Sequence, residues 1–451
     1  MFTGELDRAL PSLRARTFGI CLGSAVLLAV SAGLVSAKTL SFTFVIVLLS
    51  FIAAAALRGL IAEAVRRPGQ VAWYLGGFLA YAGLSSAWAI EPAATLVTTG
   101  YALFVGAGAI FMLQIIDVER RPDLLHLGEG VWIGFAVGLL YLVIELVSGQ
   151  SIKIFLYNLA GLQPRDLAPP EYFTWADGKI VAILREDLTR NMAPVTIFLW
   201  PAVTAIMGAV TRRYAAILSI LLVLIAGIVV MTAWHETSKG AFLMGLAVFV
   251  GARLAPIVAG RFASVCWVLA CLGVLPAVLL AHRLELHQAP WIQYSAQQRL
   301  IIWNFTAEQV LKSPLFGVGA RTTYFLGPSL QKGLPELTGN EQPRTLSTHA
   351  HSVFLQTWFE LGLVGATLLT LFGLALLQSI MALSVAIRPY ALATFASCAV
   401  MAASSYGMWQ YWYMAMFALC AVLFAIAAQL LNSRQVESSE KRPDDFNFAR
   451  P

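Results

Sequence analysis

Runs of about twenty apolar residues recur along this chain, and each is long enough as a helix to cross the hydrocarbon core of a bilayer. One of them, ILSILLVLIAGIVVMTAW at 217–234, holds no charged side chain. Lipid offers a peptide group no hydrogen-bond partner, so runs of this kind fold as helices. Spans are expected at 18–37, 40–57, 71–90, 96–116, 131–148, 192–209, 214–233, 236–255, 262–281, 358–385, 390–407 and 411–431. The fold class they predict is an all-α integral membrane protein of twelve transmembrane helices. Apolar residues are 59% of the chain and charged ones 12%, where a soluble domain carries about 25% charged. The first run is not a cleaved signal, because it lacks a small-residue cleavage site and a second run follows at once.

Basic residues orient the spans. With the N-terminus inside, Arg14, Arg16, Arg58, Arg66, Arg67, Arg120, Arg121, Arg212 and Arg213 fall on the inner side. Both termini are then cytoplasmic. The expected organisation is five helices in 1–148, an outer loop at 149–191, four helices in 192–281, a larger and partly helical outer loop at 282–357, three helices in 358–431, and a disordered inner tail at 432–451.

Much of the chemistry-bearing sequence lies in the two outer loops. The five cysteines all fall inside apolar runs, so none is placed to staple a loop. GVGA at 317–320 is followed by no Lys-Ser/Thr pair, which makes it a turn rather than a phosphate loop and argues against ATP chemistry. No nucleic-acid partner is expected.

Two arginines abut apolar helices. Arg190 lies in REDLTRNMAPVTIFLWP, at the mouth of the sixth span. There it can snorkel to lipid headgroups or grip an anionic ligand. Arg299 lies in QQRLIIWNFTAEQVLKSPLFGVG. The apolar positions Leu300, Ile301, Trp303, Phe305, Val310 and Leu311 predict an amphipathic helix over 297–311, ended by Lys312-Ser-Pro. Such a helix lies along the membrane face or covers a cavity. Arg299 and Trp303 are four residues apart and share a face. Helix-surface pairing and ligand binding both fit that spacing.

STHAHSVFLQTWFELGLVG, at 347–365, sets His349 and His351 one residue apart before an apolar helix. A neutral imidazole there is a general base near pH 7, with an ordinary pKa of about 6.5. Equally, the pair can simply decorate a helix start. A metal site using Glu336 and Glu341 is a third arrangement, but no HExxH and no cysteine ligand accompanies it. No metal and no cofactor is expected.

HSVFL, at 351–355, resembles the His-Asn/Ser-x-x-Leu motif of the O-antigen ligase and polymerase superfamily, and QTWFELGLVG resembles its continuation. QRLIIW and SPLFGVGA resemble the same superfamily's arginine-bearing loop segment and Pro-Leu-x-Gly-x-Gly turn. TRNMAPVTIFLWPA resembles the arginine that opens a membrane helix in the ligases. The three occur in the family order.

The resemblance implies a metal-independent glycosyltransferase of the bacterial inner membrane with its active site on the periplasmic side. It would move O-antigen from undecaprenyl pyrophosphate to the lipid A-core oligosaccharide. His351 would be the general base, and Arg190 and Arg299 would hold the pyrophosphate. His349 and Arg321 are further substrate-binding candidates. So is Lys239, in HETSKG, where many members carry Ser-Arg. Lysine is a point charge rather than a fork. The serine in HSVFL does not separate ligase from polymerase, so O-antigen polymerase is the next reading. A protein O-oligosaccharyltransferase follows, and then a lipid-linked glycan transporter, which the near absence of ionisable residues within the spans disfavours.

Overall fold

A computed structural model of the chain describes residues 3–64, 68–119, 121–167, 169–329 and 348–440. Helix dominates. Nine helices among the described residues are long and apolar enough to cross a membrane, and the pair Pro256–Leu272 and Val274–Arg283, bent by 71°, makes a tenth if it counts as one span. The protein is therefore an all-α, multi-pass membrane protein.

Nine of the twelve expected spans correspond to these nine helices, and the run at 262–281 becomes the bent pair. The remaining two differ from expectation. The run at 71–90 forms a helix of only 15 residues, Gln70–Leu84, which passes into a 3-10 turn at Ser85–Ala87. Its Ser85 hydroxyl donates to the Ala82 carbonyl at 2.7 Å, closing the turn. The run at 390–407 forms a 17-residue helix, Arg388–Ser404, that stops where Ser405 leaves helical geometry. Both fall short of the roughly 20 residues that a span needs when it stands straight.

The chain divides into two compact units. The first comprises Met1–Arg66, Phe111–Leu243 and Leu419–Pro451. Its centre is the packing of helix Thr3–Val35 on helix Arg121–Ser148. Glycines make this close: a Cβ on Gly23, Gly130 or Gly134 would collide with backbone of the facing helix. Small residues at such a contact let two helices approach where lipid gives them no hydrophobic drive to associate. Helix Met192–Ala209 is buried along nearly its whole length. It follows a 3-10 segment, Arg185–Asn191, whose last residue ties it to the first helix: the Asn191 amide donates to the Leu34 and Val35 carbonyls at 2.7 and 2.6 Å. Those carbonyls are the orphaned acceptors of a helix C-terminus.

The segment expected as the first outer loop has structure of its own. A short helix, Ser151–Leu159, packs on an antiparallel hairpin of Phe173–Ala176 and Lys179–Ile183. Phe173, Ile180 and Ile183 bury a small core there against Ile154 and Tyr157.

The second unit comprises Arg67–Ile110 and Met244–Ala418. The segment expected as an amphipathic helix over 297–311 is helical from Tyr294 to Val310. It packs on Val274–Arg283 and on the long helix Val353–Ala382, around Leu275, Val278, Ala307, Leu355 and Phe359. The long helix is broken at Gly362, whose φ of 62° and ψ of −160° no helix contains.

A candidate active site in the second unit

The broken helix and the Gly-x-Gly turn complete each other. A break strands carbonyls on one side and amides on the other, and each buried peptide group left alone is costly. The Phe359 and Glu360 carbonyls accept from the Val318 and Gly319 amides at 3.1 and 2.8 Å. In return the Leu363 and Val364 amides donate to Pro314 and Leu315 at 2.8 and 3.3 Å. Gly317 and Gly362 both have positive φ, and a Cβ on either would run into the backbone of the other strand of contact. The turn is held from behind as well. The Ser85 hydroxyl accepts from the Ala320 amide at 2.9 Å, and the Thr95 hydroxyl donates to the Ala320 carbonyl at 2.8 Å.

This arrangement delivers Glu360, with no exposed surface, to the residues that follow the turn. Its carboxylate accepts from the Arg321 amide at 3.0 Å, the Thr323 amide at 3.1 Å, the Gln356 side-chain amide at 3.1 Å and the Trp409 indole N–H. Four N–H donors around one carboxylate match a group that only accepts when ionised. Arg321 itself has a left-handed backbone, φ 67°, and its guanidinium lies over the Tyr324 ring, 4.4 Å from the centroid.

The two histidines stand beside it. Ser352 caps the long helix, its hydroxyl accepting from the Leu355 amide at 3.4 Å. Serine and asparagine are both strong N-cap residues, so either serves at this position. His351 precedes the cap with φ 52°, a left-handed conformation that costs a residue with a Cβ about 1 kcal/mol or more. Its Nδ1 is 3.0 Å from the Ser405 carbonyl. A carbonyl can only accept, so Nδ1 carries the proton and Nε2 keeps the lone pair. Burial and the nearby Arg299 guanidinium hold the imidazolium down, to a pKa of about 4. His349 lies 4.1 Å away, centroid to centroid. Burial, His351, Arg299 and Arg321 push its pKa down to about 3. Its Nδ1 is 3.1 Å from the Thr348 hydroxyl, and its Nε2 is buried with no hydrogen-bond partner.

Arg299 reaches this group from helix Tyr294–Val310, donating from Nη1 to the Ser404 hydroxyl at 3.1 Å. Trp303, one turn along the same face, donates its indole N–H to the Ala350 carbonyl at 2.9 Å. Ala350 separates the two histidines, so this one hydrogen bond fastens the arginine's helix to them. A cavity of about 110 Å³ opens among Arg321, Tyr324, His349, Gln356, Glu360, Trp409 and Gln410.

Arg299, Arg321, His349 and His351 are thus brought together. Arg190 and Lys239 belong to the first unit. Arg190 is the penultimate residue of the 3-10 segment held by Asn191 and lies within electrostatic reach of Lys38, while Asp187 is ion-paired with Lys153. Lys239 is paired with Glu236, one turn before it, at 2.7 Å. Among the described residues no group of three His, Cys, Asp or Glu side chains is placed to hold a metal ion. Glu336 and Glu341, weighed above as ligands, lie outside the described residues.

The sequence reading missed Glu360, Gln356, Trp409 and the serines at 404 and 405. An acidic residue inside an apolar run was the available signal for Glu360. The others are ordinary residues within or beside apolar runs, and only tertiary contact gives them significance.

These features define a multi-pass membrane protein with a half-buried histidine–arginine site and a buried carboxylate hub. Residues 193–370 match the O-antigen ligase family. A candidate polysaccharide ligase of Rickettsia typhi is 22% identical over 342 residues, covering 74% of this chain and 75% of its own. Another from Rickettsia felis is 25% identical over 234 residues, covering 50% of this chain and 54% of its own. A third, from Rickettsia conorii, is 25% identical over 236 residues. The chain spans about half the length of the felis and conorii relatives it matches. By these likenesses the chain resembles the O-antigen ligase superfamily.

Proposed function

We propose that the protein is an O-antigen ligase that transfers O-antigen polysaccharide from undecaprenyl pyrophosphate to the lipid A-core oligosaccharide. It works at the periplasmic face of the bacterial inner membrane, with both termini in the cytoplasm and without a metal ion. The observation that carries this reading is the Nδ1–H of His351 on the Ser405 carbonyl, with Arg299 beside it. That bond leaves a free imidazole lone pair, which is what a general base requires.

In the proposed reaction His351 Nε2 takes the proton of an acceptor sugar hydroxyl as its oxygen attacks the anomeric carbon of the donor. The bond from that carbon to the pyrophosphate oxygen breaks on the opposite face, and undecaprenyl pyrophosphate leaves with the electron pair. One displacement inverts the anomeric configuration. Negative charge grows on the leaving group, and guanidinium forks match phosphate oxygens in pairs while staying charged. Arg299 and Arg190 fill this role, with Arg321, Lys239 and His349 as further ligands of the donor or acceptor. Lipids of the surrounding bilayer are the remaining partners.

The test is transfer by purified protein in EDTA, with undecaprenyl-pyrophosphate glycan as donor and rough lipopolysaccharide as acceptor. Lipopolysaccharide should gain glycan, and His351→Ala should lower the rate by about 10²–10⁴-fold while eluting as folded protein. Transfer that persists in His351→Ala removes the base assignment. Elongation of the lipid-linked glycan alone would identify an O-antigen polymerase instead.

A further inference from the structure

The site has a second support that lies beyond the region matching the family. Ser404 ends one helix, and the six residues Ser405–Gln410 lead to the next, at Tyr411. Along this short stretch almost every position meets a different part of the site. The Ser404 hydroxyl accepts from Arg299 at 3.1 Å, and the Ser405 carbonyl accepts from His351 at 3.0 Å. Gly407 is packed on His349 so tightly that a Cβ would sit 2.8 Å from the histidine's own. The Met408 amide donates to the Gln356 side-chain carbonyl at 3.3 Å. The Trp409 indole donates to Glu360, and Gln410 lines the polar cavity.

We infer that Ser404–Gln410 is the positioning element of the site, holding Arg299, His351 and His349 in register and fixing which imidazole nitrogen of His351 is the base. None of its residues needs to touch the reacting atoms. Three features favour this over simple packing. First, the contacts are made by six of the seven residues of one short stretch, so one displacement of the linker moves all of them together. Second, the Ser405 contact is made by a backbone carbonyl, which selects a tautomer whatever side chain stands there. Third, His351 has a left-handed backbone, a strained state that persists only where its surroundings over-determine it. Naming these residues as positioning groups for glycan transfer rests on the ligase reading. The tautomer and register claim does not.

The experiment therefore reads both. Protein labelled with ¹⁵N-histidine, with six histidines to assign by single substitutions, is compared for wild type, Ser404→Ala and Gly407→Ala. His351 in the wild type should be protonated at Nδ1. Gly407→Ala should shift the His349 and His351 resonances and lower kcat by roughly tenfold or more, since displacements of about 1 Å can cost 10²-fold. Ser404→Ala, which adds no bulk and removes one hydrogen-bond partner of Arg299, should raise the pKa of His351 and raise KM for the donor more than it lowers kcat. Should Gly407→Ala not fold, Ser404→Ala decides alone through the His351 titration. Unchanged histidine spectra in a folded variant overturn the positioning claim whatever the activity. Shifted spectra with a wild type that transfers no glycan keep the claim and overturn the ligase reading.

Discussion

Gly362 breaks its helix directly against Leu315, with so little space that a Cβ at 362 would overlap the Leu315 carbonyl. Its φ of 62° and ψ of −160° belong to a region open essentially to glycine alone. Gly362→Ala therefore faces both backbone strain of about 1–3 kcal/mol and overpacking of about 1–3 kcal/mol. The expected result is loss of folded, monodisperse protein, read by size-exclusion chromatography in detergent. Gly76→Ala, which would meet nothing within 4 Å, should behave as wild type and serves as the control.

The contrast between these two glycines shows what the sequence could and could not disclose. Apolar runs revealed most of the membrane helices, because lipid leaves the backbone no other choice over twenty residues. The helix bearing Arg299 was legible from its spacing, though not as the amphipathic one expected, and the His-x-His pair from its position. The break at Gly362 was not, since hydropathy reads 358–385 as one continuous span. It exists because the turn at 314–319 supplies the missing hydrogen bonds, and that complement lies some forty residues away. The same holds for the linker after Ser404. Hydropathy ran the span on to 407, whereas the helix ends at Ser404 and the residues beyond it bind the histidines.

Trp303 makes a local prediction. Its indole N–H satisfies the Ala350 carbonyl, whose residue is fully buried. Trp303→Phe keeps most of the apolar contact and leaves that acceptor alone, at a cost of about 1–3 kcal/mol. The melting temperature should fall by several degrees. The loss in kcat should exceed any change in KM, because the bond fastens the histidines rather than a substrate. An equal effect on KM would place Trp303 in the substrate path instead.

Arg299 separates charge from geometry. Arg299→Ala should reduce transfer by about 10²–10³-fold, the loss typical of removing one donor from a developing anion. Arg299→Lys restores the charge but not the planar fork. It should recover less than a tenth of wild-type activity in the same assay. Full recovery by lysine would mean that the site needs a cation there and not paired hydrogen bonds.

The histidines set a dependence on pH whose sign follows from their depressed pKa values, about 4 for His351 and about 3 for His349. The unfolded chain takes up protons below about 6.5, whereas the folded protein resists until about 4 and then 3. Their contribution to stability is therefore complete above pH 6.5 and is lost as pH falls through the folded values. The melting temperature should drop between pH 6.5 and 4, and His349→Asn should flatten part of that slope. Activity follows the same groups differently. In the free protein His351 stays neutral well below pH 6.5, so the acid limb of kcat/KM should lie nearer 4 than 6.5. A bound pyrophosphate would offset the field of Arg299, one of the two causes of the depression. The acid limb of kcat, which reports the complex, should accordingly lie at higher pH than that of kcat/KM. If both limbs sit at about 6.5, His351 is not the titrating base.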